Sequence, residues 1–295
     1  MKLYRVTGLL LAAALFFTLP HAMATPITPS VIYGDDNRQE YYEIQSSSQR
    51  ELADATLALI PAKDLIAGKD GSSAIHAKTY GKENKLCNTE RFTEQLAAAD
   101  CSAVLVGDDT VLTAAHCFKN LKECKEHRFV FDYAYKTPKE APSSIPNSEI
   151  YECEEILYRV RQAPSPDFAL VRLNRKVNNR NPVHLNTAET LSSSDRFFVL
   201  GYPRGLPLKI TDGAGLRKID MHHFITNTDT YEGNSGSPIF NEATGLLEGI
   251  LVAGETDFVK NKAEGCYVSK RCKDDACDGE TVVKISEVLP YLMRK

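Results

Sequence analysis

The sequence predicts an all-β protein of the barrel or sandwich class, on three observations. The apolar segments are short. Turn-forming residues punctuate them. A helical period shows only near the C-terminus. Many short strands joined by polar turns are the pattern of closed or double-layered β architecture.

The elements follow in order. Lys2 and Arg5 precede an apolar run from Leu9 to Leu19 that only Thr18 interrupts, and Ala22-Met23-Ala24 follows. This is the pattern of a secretory signal peptide over residues 1–24, cut after Ala24. The run is too short for a membrane span of ~20 residues. Residues 25–45 read as an N-terminal segment, with a short propeptide ending at Ser30. Strands are expected at Thr56–Ile60, Ala103–Val106, Phe129–Phe131, Phe168–Val171, Phe197–Leu200, Ser237–Phe240 and Leu247–Val252. Gly107-Asp108-Asp109, Gly201-Tyr202-Pro203, Asp212-Gly213 and Thr244-Gly245 supply turns. Residues 136–147, with three prolines, read as a surface loop, and 173–186 as a linker between two halves. Ser286 is a plausible cap for a C-terminal helix whose Val288, Leu289, Leu292 and Met293 share a face. The halves are expected at 46–182 and 183–295.

Charge and cysteine content narrow the function. Without the first 24 residues the chain keeps 33 basic against 39 acidic residues and has no long basic run, so nucleic acid is not an expected partner. No second apolar stretch follows the first, so stable membrane insertion is not expected either. All eight cysteines lie beyond residue 24, and an even number in an exported chain argues for disulfides. Proximity alone suggests Cys124–Cys153 and Cys272–Cys277. A zinc site at Cys266, Cys272 and Cys277 lacks the Cys-x-x-Cys spacing of a zinc knuckle. Adjacent His222 and His223 would point to opposite faces of a strand, so they make a poor metal pair. No cofactor is expected.

Three local sequences carry chemistry: Leu112-Thr113-Ala114-Ala115-His116-Cys117, Pro166-Asp167-Phe168-Ala169-Leu170-Val171-Arg172-Leu173, and Gly233-Asn234-Ser235-Gly236-Ser237-Pro238. Each alone is modest. Together they place His, Asp and Ser in an order that neither subtilisins nor α/β-hydrolases share. Thr-Ala-Ala-His-Cys resembles the histidine motif of the chymotrypsin–trypsin family, and the aspartate strand is similar to that family's. Gly-Asn-Ser-Gly-Ser-Pro resembles the serine loop of its bacterial glutamyl-endopeptidase branch. Val31-Ile32-Tyr33-Gly34-Asp35-Asp36 is similar to the start of the mature region there. The resemblance implies two perpendicular six-stranded antiparallel β-barrels with the active site between them, and a C-terminal helix.

The resemblance also implies a secreted serine endopeptidase with the triad His116, Asp167 and Ser235. A serine hydroxyl is a weak nucleophile and needs a base; His116 fits, with Asp167 fixing its tautomer. The N–H groups of Gly233 and Ser235 form the oxyanion hole, and Cys101–Cys117 is the disulfide beside the histidine. The family places its pocket floor at Asp229, which would favour cleavage after Arg or Lys; the other reading of Asp229 is a structural aspartate bonded to its loop. Thr230 matches a substrate-binding threonine of glutamyl endopeptidases, but Leu251 stands where their pocket histidine belongs. Gly254 leaves the pocket mouth open. Asn234 replaces the aspartate of the trypsin zymogen switch, so that switch is expected to be absent. The expected partner is a protein or peptide substrate, met by a monomer. The other readings are an inactive binding protein on the same fold and a Glu/Asp-specific endopeptidase.

Overall fold

A computed structural model of the chain describes residues 32–162, 166–188, 190–254 and 256–293. The expected signal peptide, the cut after Ala24 and the Ser30–Val31 boundary lie outside these residues. Twelve strands build two barrels. The first holds β1 (Thr56–Pro61), β2 (Cys101–Leu105), β3 (Thr110–Thr113), β4 (His127–Val130), β5 (Ile150–Arg161) and β6 (Asp167–Leu173). The second holds β7 (Arg196–Gly201), β8 (Lys209–Ile219), β9 (His223–Thr226), β10 (Pro238–Asn241), β11 (Leu247–Ala253) and β12 (Glu280–Lys284). Every pairing between these strands is antiparallel. The ring β1-β2-β3-β6-β5-β4 in the first barrel repeats as β7-β8-β9-β12-β11-β10 in the second. Closure leaves neither barrel with an open edge to aggregate.

The expected strands form, each within a few residues of its sequence bounds. Five barrel strands, β3, β5, β8, β9 and β12, are not among those expected from the sequence. In β5, Tyr151 and Cys153 turn inward while Glu152 and Glu154 alternate outward, and the strand runs on well beyond its buried part. Strand β8 likewise ends in exposed Lys218 and Ile219. The core is continuous from one barrel to the other: Leu57, Leu59, Phe129 and Val171 belong to the same buried cluster as Phe198, Leu200, Tyr202 and Ile250. Tyr133 and Tyr202 stack across this junction with ring centroids 6.0 Å apart.

Peripheral segments tie the halves together. Ile32–Tyr33 pairs in parallel with Arg271–Cys272, and Gln39–Glu40 pairs with β8, so the N-terminal segment lies on the second barrel. Residues 144–146 of the expected surface loop form a short strand against Ser72–Ile75. The C-terminal helix is shorter than expected. Ser286 lies inside a 3-10 turn over Ile285–Glu287 and caps nothing, because the α-helical turn begins only at Leu289, beside Pro290. Met293 is exposed; Tyr291 packs instead, on Tyr158 and Phe168 of the first barrel. The eight cysteines form Cys87–Cys266, Cys101–Cys117, Cys124–Cys153 and Cys272–Cys277. No helix among the described residues is long and apolar enough to cross a membrane.

Candidate active site

His116, Asp167 and Ser235 meet where the two barrels face each other. His116 sits on the 3-10 turn Ala115–Cys117 that follows β3, and Asp167 opens β6 beside it. Ser235 lies in the loop that leads into β10. The His116 Nε2 stands 2.7 Å from the Ser235 Oγ, and its Nδ1 stands 3.0 Å from the Asp167 Oδ2. The other Asp167 oxygen accepts the His116 backbone N–H at 3.0 Å, which fixes the carboxylate against the ring. Burial works against the Asp167 charge. The His116 contacts and the Arg161 guanidinium outweigh it and hold the carboxyl below its ordinary value.

Residues outside the three motifs complete the frame. Arg159 on β5 donates through its Nε to the carbonyls of Ala115 and Phe118 at 3.0 and 2.9 Å, pinning the histidine turn from both ends. Ser102 on β2 is wholly buried beneath the serine loop. Its N–H donates to the Ser235 carbonyl at 2.8 Å, and its hydroxyl donates to the Gly233 carbonyl at 2.9 Å. The same hydroxyl accepts the Tyr202 N–H at 3.2 Å. A serine in an apolar strand carries no local signal of this task, because its partners are about a hundred residues away in the sequence.

Gly233 has φ +91°, a conformation L side chains avoid, and a Cβ there would lie 2.7 Å from the Tyr202 carbonyl oxygen. The strained turn leaves two amides unused. Among the described residues, neither the Gly233 nor the Ser235 N–H donates to a protein acceptor. Asn234 is buried and accepts from the Ser237 hydroxyl at 3.0 Å, so it braces the loop as a neutral residue.

A cavity of about 380 Å³ opens beside Ser235. Thr230 and Gly254 line it, with Leu251, Ala253, Asp257 and Glu280. Asp229 does not, which corrects the expected pocket floor. Its carboxylate turns the other way and accepts the N–H groups of Tyr33 and Asn37 at 2.7 and 3.4 Å. Asp229 thus anchors the N-terminal segment. Burial pushes its carboxyl up to about 7, against the pull of those N–H groups. Burial likewise pushes the Asp257 carboxyl up to about 6, although the Arg204 guanidinium pairs with it. A second cavity of about 550 Å³ lies on the other side of Gly233, reaching Lys63, His76 and Lys78. Arg204 and Glu232, ion-paired with each other, border both, so open space flanks the serine loop on two sides.

The profile of the trypsin-like peptidase domain matches residues 101–250, just over half of the chain, and spans all three motifs. The chain belongs to this family. The protein is therefore a serine endopeptidase. Its peptidase fold is shared with solved structures at low sequence identity. A Glu endopeptidase solved in complex with MPD matches at TM-score 0.52 and 15% identity, over 90% of this chain and 100% of that one. The VesB protease of Vibrio cholerae matches at TM-score 0.51 and 16% identity, over 88% of this chain and 66% of that one. Leu251, Arg204, Glu232, Asp257 and Glu280 all line the cavity beside Ser235.

Proposed function

We propose that the protein is an exported endopeptidase that cleaves peptide bonds through an acyl-enzyme on Ser235. The observation that carries this reading is the 2.7 Å contact from the His116 Nε2 to the Ser235 Oγ, with Asp167 behind the ring. His116 takes the serine proton as Oγ attacks the scissile carbonyl, and then gives it to the leaving amine. Asp167 holds the tautomer that leaves Nε2 free to accept, and stabilises the imidazolium. The N–H groups of Gly233 and Ser235 receive the oxyanion, a contribution of ~3–4 kcal/mol for each donor. Water then cleaves the ester by the same steps in reverse roles.

Export is supported by the N-terminal sequence pattern and by four disulfides, which persist in oxidising compartments. The substrate is a protein or peptide bound by a monomer. The acids around the cavity favour cleavage after Arg or Lys and disfavour the Glu/Asp-specific reading. The experiment is hydrolysis of a peptide library by the exported protein and by Ser235→Ala. The variant is expected to keep its circular dichroism spectrum and lose all cleavage. Retained cleavage would overturn the triad, and a folded wild-type protein that cleaves nothing would favour the binding-protein reading.

A further inference from the structure

We infer that Arg204 is a positioning residue of the oxyanion hole: it fixes the peptide unit between Glu232 and Gly233, whose N–H receives the developing charge. The inference deepens the triad reading above and rests on it, since it takes Gly233 as an oxyanion donor. Gly233 lacks a Cβ, and without one the peptide unit before it can turn over and carry its N–H away from the scissile carbonyl. In a planar trans peptide the N–H points opposite to the carbonyl, so whatever holds the Glu232 carbonyl also aims the Gly233 N–H. The Arg204 N–H holds it, donating to the Glu232 carbonyl at 2.5 Å. It does so from a left-handed backbone, φ +51°, which a residue with a side chain adopts rarely and keeps only where its surroundings hold it there.

The Arg204 side chain supplies that hold. Its Nε pairs with Asp257 and its Nη1 with Glu232. The first pair carries the weight. The Asp257 side chain is 3% exposed, whereas that of Glu232 is 73% exposed and screened by water. The guanidinium also lies over the Phe258 ring, 5.2 Å from its centroid. Asp257 in turn accepts the Glu232 N–H at 3.2 Å through both oxygens. Glu232 is therefore held at its N–H by Asp257 and at its carbonyl by Arg204, and the buried ion pair joins the two holds into one closed ring. The Ser102 hydroxyl, on the Gly233 carbonyl, secures the next peptide unit.

The test measures kcat and KM for a peptide that the wild-type protein cleaves, and Ki for the matching peptide trifluoromethyl ketone, whose hemiketal oxyanion takes the same donors. Arg204→Gln keeps the backbone N–H but removes the charge that holds Asp257. Its kcat is expected to fall about tenfold or more with KM changed less than about twofold, and Ki for the ketone to rise by the factor that kcat/KM loses. A residue that only stabilised the fold would shift the urea midpoint and leave the kcat of folded enzyme alone. One that only bound substrate would raise KM alone. Either result overturns the inference. Asp257→Asn, close in shape, tests the same ring if Arg204→Gln does not fold, and is expected to lose kcat to a similar extent; an unmoved kcat there overturns the inference too. Where both fold, the double variant is expected within about twofold of the slower single variant. Losses that multiply in full mean that the two residues act apart, and overturn the inference. Fluorophosphonate labelling separates the two claims. Absence of label on the folded wild-type protein refutes the triad, whereas a labelled wild type with an unmoved kcat in Arg204→Gln refutes the role of Arg204 alone.

Discussion

Ser102→Ala removes one oxygen from the floor of the serine loop, and its cost can be worked from the contacts. The hydroxyl donates to the Gly233 carbonyl at 2.9 Å and accepts the Tyr202 N–H at 3.2 Å, and all three residues are buried. Alanine leaves a buried acceptor and a buried donor unmatched, at about 1 kcal/mol or more each, so a loss of about 2–3 kcal/mol is expected. With a urea slope of about 2–3 kcal/mol/M, the unfolding midpoint falls by about 1 M. The bond from the Ser102 N–H to the Ser235 carbonyl remains, so the serine itself stays near His116. The freed Gly233 carbonyl lets the oxyanion turn relax. This lowers kcat about tenfold with little change in KM, the signature of an interaction made in the transition state. Urea titration and steady-state peptide hydrolysis measure both. A stability change below about 0.5 kcal/mol with unchanged kcat refutes the reasoning.

Three further outcomes are expected. Arg159→Ala frees the carbonyls of Ala115 and Phe118 and loosens the histidine turn, so kcat should drop at least about tenfold with KM held, and an unaltered kcat would count against it. Replacing Cys101 and Cys117 together by serine opens a 16-residue loop and should cost about 3 kcal/mol of unfolding free energy; no loss in the oxidised protein contradicts this. Asp229 and Asp257 titrate higher in the folded than in the unfolded chain, so the folded state holds extra protons above pH 3.8 and up to about 7 and about 6 respectively. Stability at these sites is therefore lost as pH rises through that window, and Asp229→Asn should shrink the difference in unfolding free energy between pH 5 and pH 8, where an unchanged difference would refute the assignment.

The sequence and the structure agree where function is carried by contiguous residues. Residues 112–117, 166–173 and 233–238 each form one local unit, a turn after a strand, a strand start or a tight loop, so their patterns survive in the linear chain. The apolar strands of the core were legible for the same reason. Strand β5 was not, because its outward-facing glutamates and long exposed end break the apolar period. The pocket was harder still. Counting back from Ser235 reaches Asp229, but the direction of that side chain is set by the N–H groups of Tyr33 and Asn37, far earlier in the chain. Of the three acids that line the cavity, Glu280 stands on another strand, and only the pairing of β11 with β12 brings it beside Gly254. Ser102 and Arg159 were hidden likewise, each acting through backbone groups that are distant in sequence. The C-terminal helix erred locally: a capping serine was present, but the chain forms a 3-10 turn there before the α-helical turn begins.

The central claim is that Ser235 is a nucleophile activated by His116. Its most direct measurement treats the folded, exported protein with a fluorophosphonate and maps the modified residue by mass spectrometry. Stoichiometric labelling at Ser235, abolished in His116→Ala, is the predicted result. A folded protein that takes no label, or takes it at another residue, contradicts the account.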